Sequence, residues 1–290
     1  MNKVLLLLDL LDHPKDFVFI SGFFKSFYES YAKNQLFHQT FNLLKSTTEP
    51  ECMLEVGKIL FHMYNSLKIC NHNFNFRNLL DRERLNDLFL GENTIKELLD
   101  ITTKTSNQLF EVFVLILVSI VKYTDREYLP ISDPDYLTII FLKLDTELNV
   151  DSYSALALLA YTLALKATQI NETNPASIDV LIRTGLKLTT MGSAELFVYG
   201  IRVYGLLLPY HSPGGDFIQL FTKIEPILQG QDEVFQAETL KFIRCAARLE
   251  KFAGIILENQ IVMEYVKTKV FDGDSCFGIL AAQVLWSLSI

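Results

Sequence analysis

Apolar residues recur at helical spacing over residues 92–290, in a unit of about forty residues. Each unit holds a shorter amphipathic segment, a break, and a longer, more apolar segment. In the shorter segments, two apolar positions three residues apart place a stripe along one helix face. The first position holds Ile95, Leu137, Ile178, Ile218 and Val262, and the second holds Leu98, Ile140, Leu181, Phe221 and Tyr265. The pattern predicts pairs of helices that repeat along the chain.

The longer segments predict a second helix in each unit, near residues 106–123, 151–168, 193–208, 232–249 and 274–289. Residues that favour a helix start precede many of the predicted helices. Asp133-Pro134 and Asn174-Pro175 each combine a capping side chain with proline at the first helical position. The predicted N-caps of three second helices are Ser193, Asp232 and Asp274. Spacing and caps therefore agree on where the helices begin.

The first 91 residues follow the same pattern less regularly. Helices are predicted near residues 2–12, 15–32, 35–45, 50–69 and 77–90. No Pro/Gly/Ser-rich linker separates them from the regular region. We therefore predict one domain over 1–290, with divergent helices over 1–91 and regular repeats over 92–290. An ordinary helical bundle with evenly spaced helix pairs is the alternative.

These paired helices resemble armadillo and HEAT repeats. The segment from Leu280 to Ser289 resembles the final helix of an armadillo repeat, with small residues and a closing Leu-Trp-x-Leu-Ser. The glycine typical of the turn between the first two armadillo helices is not evident, so the pattern does not separate armadillo from HEAT repeats. The resemblance implies an all-α fold, a right-handed α-solenoid with a period of about 40 residues, and partner binding along a groove lined by the last helix of each repeat.

Composition narrows the class of protein. Hydrophobic residues make up 50% of the chain, which favours a large core over disorder. The formal net charge of -8, without a Lys/Arg cluster, argues against nucleic acid as a partner. The longest membrane-like run, Val112 to Val121, is shorter than the roughly twenty residues that a membrane span needs. We therefore predict neither a nucleic-acid nor a membrane partner.

The four cysteines, Cys52, Cys70, Cys245 and Cys276, contain no CxxC pair and fall in or at the ends of predicted helices. This distribution predicts buried free thiols in a reducing compartment, either the cytoplasm or the nucleus.

Motifs of catalysis are absent from the sequence. It contains no G-x-S-x-G, H-E-x-x-H or glycine-rich dinucleotide motif. Cys52, His62, Cys70 and His72 hold metal-ligating groups, but their spacing does not imply that they converge. We predict no catalytic residue, no metal and no cofactor. An enzyme whose site is assembled from distant residues is the alternative, because such sites leave no local pattern.

Polar positions on the second helices are the candidate partner-binding residues that the resemblance implies. They are Glu195, Tyr199, Arg202, Lys241, Arg244, Arg248, Gln283 and Trp286. The four cations in this set predict a positive strip suited to an acidic or extended peptide. Ordinary solvated helix faces are the alternative for any one of these residues. The last predicted helix is also apolar, with Trp286 and Leu288, and predicts binding through the end of the stack.

These observations favour a non-catalytic scaffold, adaptor or assembly factor that binds a partner protein. Two further hypotheses stay open. One is an armadillo-type Hsp70 co-chaperone that acts as a nucleotide exchange factor. The other is a helical enzyme or effector with a cryptic site.

Overall fold

The computed structural model describes residues 36–47, 49–73, 92–105, 108–123, 133–169, 174–271 and 276–289. Throughout these ranges the regular structure is helical, with no strand. The chain divides into two compact units, Met1–Ile131 and Ser132–Ile290, which are described separately below. The single domain expected over 1–290 stays a prediction.

The first unit contains α1 (Leu36–Ser46), α2 (Pro50–Asn73), α3 (Glu92–Lys104) and α4 (Gln108–Tyr123). Helix α4 packs along α2 and also contacts α3, and α1 packs on α2. The apolar run Val112 to Val121 lies on α4, where Phe113 and Leu117 are fully buried. This run is therefore the core helix of the first unit. The helices predicted near 2–12, 15–32 and 77–90 lie outside the described residues.

The second unit begins with α5 (Pro134–Phe141), α6 (Val150–Ala167), α7 (Pro175–Leu188) and α8 (Ala194–Leu207). It continues with α9 (Gly215–Leu228), α10 (Glu233–Ala247), α11 (Glu250–Glu258), α12 (Gln260–Val270) and α13 (Cys276–Leu288). Single 3-10 turns, Leu142–Asp145 and Leu208–Tyr210, follow α5 and α8.

The helices of the second unit form two layers. The second helices α6, α8, α10 and α13 pack on one another in chain order. Among the first helices, α5 packs on α7 and α9 packs on α12. Each of α7, α9 and α12 also packs on the second helix that follows it. The predicted second helices are confirmed, with ends within two residues of those expected.

Polar N-caps begin the helices of the second unit where the sequence predicts them. The predicted caps Asp133, Asn174, Ser193 and Asp232 each accept a hydrogen bond from a backbone N–H group in the first turn of their helix. Asn149 and Asn259 cap α6 and α12 in the same way, which the sequence analysis did not anticipate. These bonds satisfy backbone donors that have no partner inside the helix. Asp274 lies outside the described residues.

The buried stripe of α9 differs from the prediction. Ile218, assigned to the core, is 56% exposed, whereas Phe217 is fully buried. The buried face consists of Phe217, Leu220, Phe221, Ile224 and Leu228. Both 217 and 218 carry large apolar side chains, so the spacing alone did not distinguish them. Phe217 and Phe221 are four residues apart, so they lie one turn apart on the core side of α9.

Helix α11 was not predicted. The sequence analysis extended the preceding helix to residue 249, but α10 ends at Ala247 and α11 begins at Glu250. Leu249 precedes α11 without a side-chain cap, and Phe252 and Ile256 continue the apolar spacing into the core. Lys251 Nζ donates to the backbone oxygens of Pro209, at 3.1 Å, and of His211. These bonds link α11 to the segment that follows α8.

Tyr204, on α8, lies at the centre of an aromatic cluster. Its ring contacts those of His211, Phe217 and Phe242, with centroids 5.4, 6.4 and 6.1 Å away. Burial raises the pKa of the Tyr204 hydroxyl. Burial, assisted by Lys251, also lowers the pKa of His211, although Asp216 opposes this shift. Within the described residues, Tyr204 Oη and His211 Nε2 are buried and make no hydrogen bond.

Candidate functional site

Side chains of α6, α8, α10 and α13 form a line of contacts that crosses all four helices. We call this line, together with the exposed residues beside it, the second-helix surface. It comprises Ser154, Tyr161, Glu195, Tyr199, Arg202, Glu238, Lys241, Arg244, Arg248, Gln283 and Trp286. It therefore contains all eight candidate residues from the sequence analysis and three further residues: Ser154, Tyr161 and Glu238.

Helices α6 and α8 meet through one hydrogen bond and two ring contacts. Ser154 Oγ donates to Glu195 Oε2 at 3.3 Å. The Tyr161 and Tyr199 rings lie 6.1 Å apart, and Arg202 Cζ lies 5.9 Å from the centre of the Tyr161 ring. Partial burial, followed by the charge of Glu195, raises the pKa of Tyr199. Tyr199 is therefore a neutral hydrogen-bonding group at neutral pH.

Helices α8 and α10 meet at Glu238. Arg202 Nε donates to Glu238 Oε2 at 2.8 Å, and Lys241 Nζ donates to Glu238 Oε1 at 2.8 Å. The Glu238 side chain is only 11% exposed, so it requires these partners to remain charged. The hydrogen bond from Arg202, with help from Lys241, lowers the pKa of Glu238, although burial opposes the shift. The same bond raises the pKa of Arg202.

Helices α10 and α13 meet where Arg244 Nη1 donates to Gln283 Oε1 at 2.6 Å. Arg244 Nε is buried and has no hydrogen-bond partner among the described residues. Arg248, the C-cap residue of α10, is exposed four residues after Arg244. Trp286, three residues after Gln283, is 71% exposed. Tryptophan and arginine side chains are enriched among the residues that dominate the energetics of binding surfaces.

Glu238 interrupts the positive strip that the sequence predicts. Arg202 and Lys241 are two of the four predicted cations, and both pair with this one carboxylate. Arg244 and Arg248 form no ion pair with any described residue. The positive charge of the second-helix surface is therefore greatest on the C-terminal half of α10. Glu238 was not among the predicted residues, although its spacing of three residues from Lys241 is typical of a helical ion pair.

The three cysteines whose side chains are described are more exposed than predicted. Cys52 and Cys276 are exposed free thiols, and Cys245 is partly exposed. Membership of a helix does not say which face a residue occupies, so it did not predict this exposure. Cys52 Sγ donates to Glu49 Oε2 at 3.4 Å, and this bond raises the pKa of the thiol. The side chains of His62, Cys70 and His72 lie outside those described.

Two kinds of feature are absent from the described part of the chain. No group of three or more His, Cys, Asp or Glu side chains there is arranged to hold a metal ion. None of the helices described has the length and apolar character needed to cross a membrane.

Comparison with solved structures identifies the fold. A designed armadillo repeat protein superposes with a TM-score of 0.57 at 11% sequence identity, over 86% of this chain and 98% of its own. A second designed armadillo repeat protein, solved in complex with the peptide (KR)4, has a TM-score of 0.60 at 11% identity, with the same coverage. An engineered protein from a structural genomics consortium has a TM-score of 0.58 at 12% identity, over 87% of this chain.

The chain therefore has an all-α fold of the armadillo solenoid type. This likeness confirms the predicted resemblance and fold class. The right-handed superhelix and the period of about 40 residues stay predictions. No protein-family model matches the chain, and no curated protein matches it in sequence.

Proposed function

We propose that the protein is a non-catalytic scaffold, adaptor or assembly factor that binds an extended segment of a partner protein on the second-helix surface. The line of contacts across α6, α8, α10 and α13 is the main observation that supports this proposal. Repeat solenoids use such faces for binding, because stacked helices present equivalent positions at regular intervals. The (KR)4 complex supports the proposal only by its fold, since that protein is designed and only 11% identical.

The charges of the second-helix surface favour an acidic segment over a basic one. The surface contains the cations Arg202, Lys241, Arg244 and Arg248 against the carboxylates Glu195 and Glu238. The protein as a whole has a net charge of -8, so this local excess of cations is opposite to the overall balance. Complementary charge steers partners to a surface and rejects those of like charge.

One exposed aromatic and one exposed cationic side chain would contribute most of the affinity. Trp286 and Ile279 are 71% and 55% exposed on α13. Buried tryptophan and arginine side chains dominate the energetics of many protein interfaces. We place the affinity of the surface mainly at Trp286 and Arg248, and we include the exposed side of α13 in the binding region. The free thiols support a reducing compartment, the cytoplasm or the nucleus.

The test compares a double variant of the second-helix surface with a matched double variant elsewhere on the protein. Arg248→Ala with Trp286→Ala removes a cation and an aromatic ring from the second-helix surface. Lys267→Ala with Phe271→Ala removes the same kinds of group from α12 and its C-cap, and all four residues are exposed. Affinity purification with mass spectrometry then compares the partners of both variants with those of the wild type.

We expect the α12 variant to keep the partners of the wild type and the surface variant to lose them. Exposed substitutions of this kind change stability by about 0.5 kcal/mol or less, so both variants should fold. Equal partner sets for the wild type and the surface variant would show that binding occurs elsewhere.

A further inference from the structure

Arg202 is held on two sides by neighbouring side chains. Its guanidinium carbon lies 5.9 Å from the centre of the Tyr161 ring on α6, and its Nε donates to Glu238 on α10 at 2.8 Å. An arginine side chain normally loses rotational freedom when it binds a ligand. Here two neighbouring helices already restrain Arg202, so the entropic cost of binding through it is reduced.

The terminal nitrogens of Arg202 remain available. Its Nε bond to Glu238 is the hydrogen bond that the side chain makes with described residues, and the side chain is 39% exposed. Guanidinium has five N–H donors in a planar fork, so the terminal edge retains donors when Nε is occupied. Two parallel N–H donors match the two oxygens of a carboxylate. Arg202 thus presents an oriented site for one carboxylate.

The neighbouring cations are less suited to that role. Lys241 is bound to Glu238, and its ammonium is a point charge without a fork. Arg244 uses one of its two terminal nitrogens for Gln283. Arg248 is exposed but has no partner among the described residues that would orient it. Of these four cations, Arg202 is the one whose side chain is both restrained by its neighbours and left with two terminal nitrogens that can donate.

We propose that Arg202 anchors the carboxylate of one Asp or Glu side chain in the bound segment, and that Tyr161 and Glu238 are positioning residues that orient it. This inference rests on the proposed function, because it assigns a specific contact to the second-helix surface. Glu238 then has a second role besides neutralising charge: its carboxylate holds one edge of the guanidinium while the opposite edge faces the partner.

The test is selection from a display library of random peptides with the full chain as bait. We expect the wild type to select peptides enriched in Asp or Glu. Arg202→Lys keeps the charge but removes the fork, so it should clearly reduce the enrichment, although the other cations of the surface remain. Arg183→Lys is the matched control, because Arg183 forms an exposed helical pair with Asp179 on α7, in the other layer. It should leave the selection unchanged.

The affinity of the selected peptide then measures how much Arg202 contributes to binding. With both ends capped, so that only side chains supply carboxylates, fluorescence anisotropy should show a Kd about tenfold weaker for Arg202→Lys than for the wild type. Replacement of the acidic residue in the peptide by its amide should weaken binding to the wild type by a similar factor. It should have little further effect on Arg202→Lys, because the two groups act together.

Tyr161 provides the test of positioning. Tyr161→Phe keeps the ring face and should bind the acidic peptide as the wild type does, whereas Tyr161→Leu should bind it several-fold more weakly. Thermal unfolding of each variant confirms that it is folded. Equal binding by Tyr161→Leu would overturn the positioning role.

The outcomes separate this inference from the proposed function. If the library yields peptides without Asp or Glu enrichment, or basic peptides, the Arg202 anchor is wrong while the peptide-binding surface stands. If Arg202→Lys keeps the acidic enrichment, the anchor is also wrong. If the library yields no binder at all, both proposals fail.

Discussion

Gly200 and Gly185 lie in contact where α8 packs against α7. A Cβ added to Gly200 would lie 2.7 Å from the Gly185 carbonyl oxygen and 2.7 Å from Thr189 Cγ2. The carbonyl belongs to the backbone of α7 and cannot rotate away as a side chain can. The close approach of the first and second helices in this repeat therefore depends on glycine at position 200.

Gly200→Ala should lower the free energy of unfolding by about 1–3 kcal/mol, because overpacking forces the two helices apart. Gly254→Ala is the matched control. Gly254 lies in α11, where an added Cβ would meet no side chain or neighbouring element within 4 Å, and alanine is the better helix former. It should raise the free energy of unfolding by about 0.5–1 kcal/mol. Urea denaturation measures both, and equal effects at the two sites would contradict the contact between α7 and α8.

The Glu238 cluster should make stability depend on acidity. Because Arg202 and Lys241 lower the pKa of Glu238 below its ordinary value of 4.5, the charged form stabilises the native state. That contribution is complete above about pH 4.5 and is lost as the pH falls through the lower native-state pKa. Glu238→Gln cannot titrate, so it lacks this component.

We therefore expect Glu238→Gln to lower the free energy of unfolding by about 1–2 kcal/mol at neutral pH, a value between those of exposed and buried ion pairs. The difference from the wild type should shrink as the pH falls below 4.5. Glu55→Gln removes an exposed carboxylate that pairs with Lys58 and should change stability little at any pH. If the difference in free energy of unfolding between Glu238→Gln and the wild type does not change with pH, the stabilising role of charged Glu238 is wrong.

His211 should add a second pH dependence. Burial and Lys251 lower its pKa below the ordinary value of 6.5, so the native state favours neutral imidazole. Its contribution is complete above pH 6.5 and is lost as the pH falls towards the native-state pKa. His211→Gln should therefore gain stability relative to the wild type over that window. Chemical denaturation above and below pH 6.5 measures the difference in free energy of unfolding between the two proteins. If this difference is the same at both pH values, the prediction is wrong.

Gln236 satisfies two carbonyl groups at the end of α9. Its Nε2 donates to the backbone oxygens of Leu228, at 3.1 Å, and Gly230, at 2.7 Å, and the side chain is buried. Gln236→Leu should lower the free energy of unfolding by about 1–3 kcal/mol, because it removes the donor from buried acceptors. Gln219→Leu, at an exposed position on α9, is the control and should change stability by less than about 0.5 kcal/mol. Equal losses would show that the two bonds contribute nothing specific.

Local chemistry explains what could be predicted from the sequence. Asp133 and Asn174 each precede a proline, and a capping side chain followed by proline favours a helix start. The second helices were predicted because their long apolar faces repeat at constant spacing. The break between α10 and α11 has neither signal. Leu249 provides no side-chain cap, and the apolar spacing continues through it.

The contacts of the second-helix surface could be predicted only in part. Helical spacing placed Arg202, Lys241 and Arg244 on exposed faces, but no local pattern pairs residues of different repeats. Glu238 and Arg202 are 36 residues apart, and Arg244 and Gln283 are 39 apart. Such pairs depend on the offset between stacked helices, which packing of the buried faces determines. The burial of Glu238, and hence its paired state, follows from that offset.

Trp286 is the single tryptophan of the chain and is already 71% exposed in the folded protein. Unfolding therefore moves its indole between two largely aqueous environments, and the emission maximum should change little. Far-ultraviolet circular dichroism will instead report the loss of the helices. A flat tryptophan signal in a denaturation experiment must accordingly not be mistaken for resistance to unfolding.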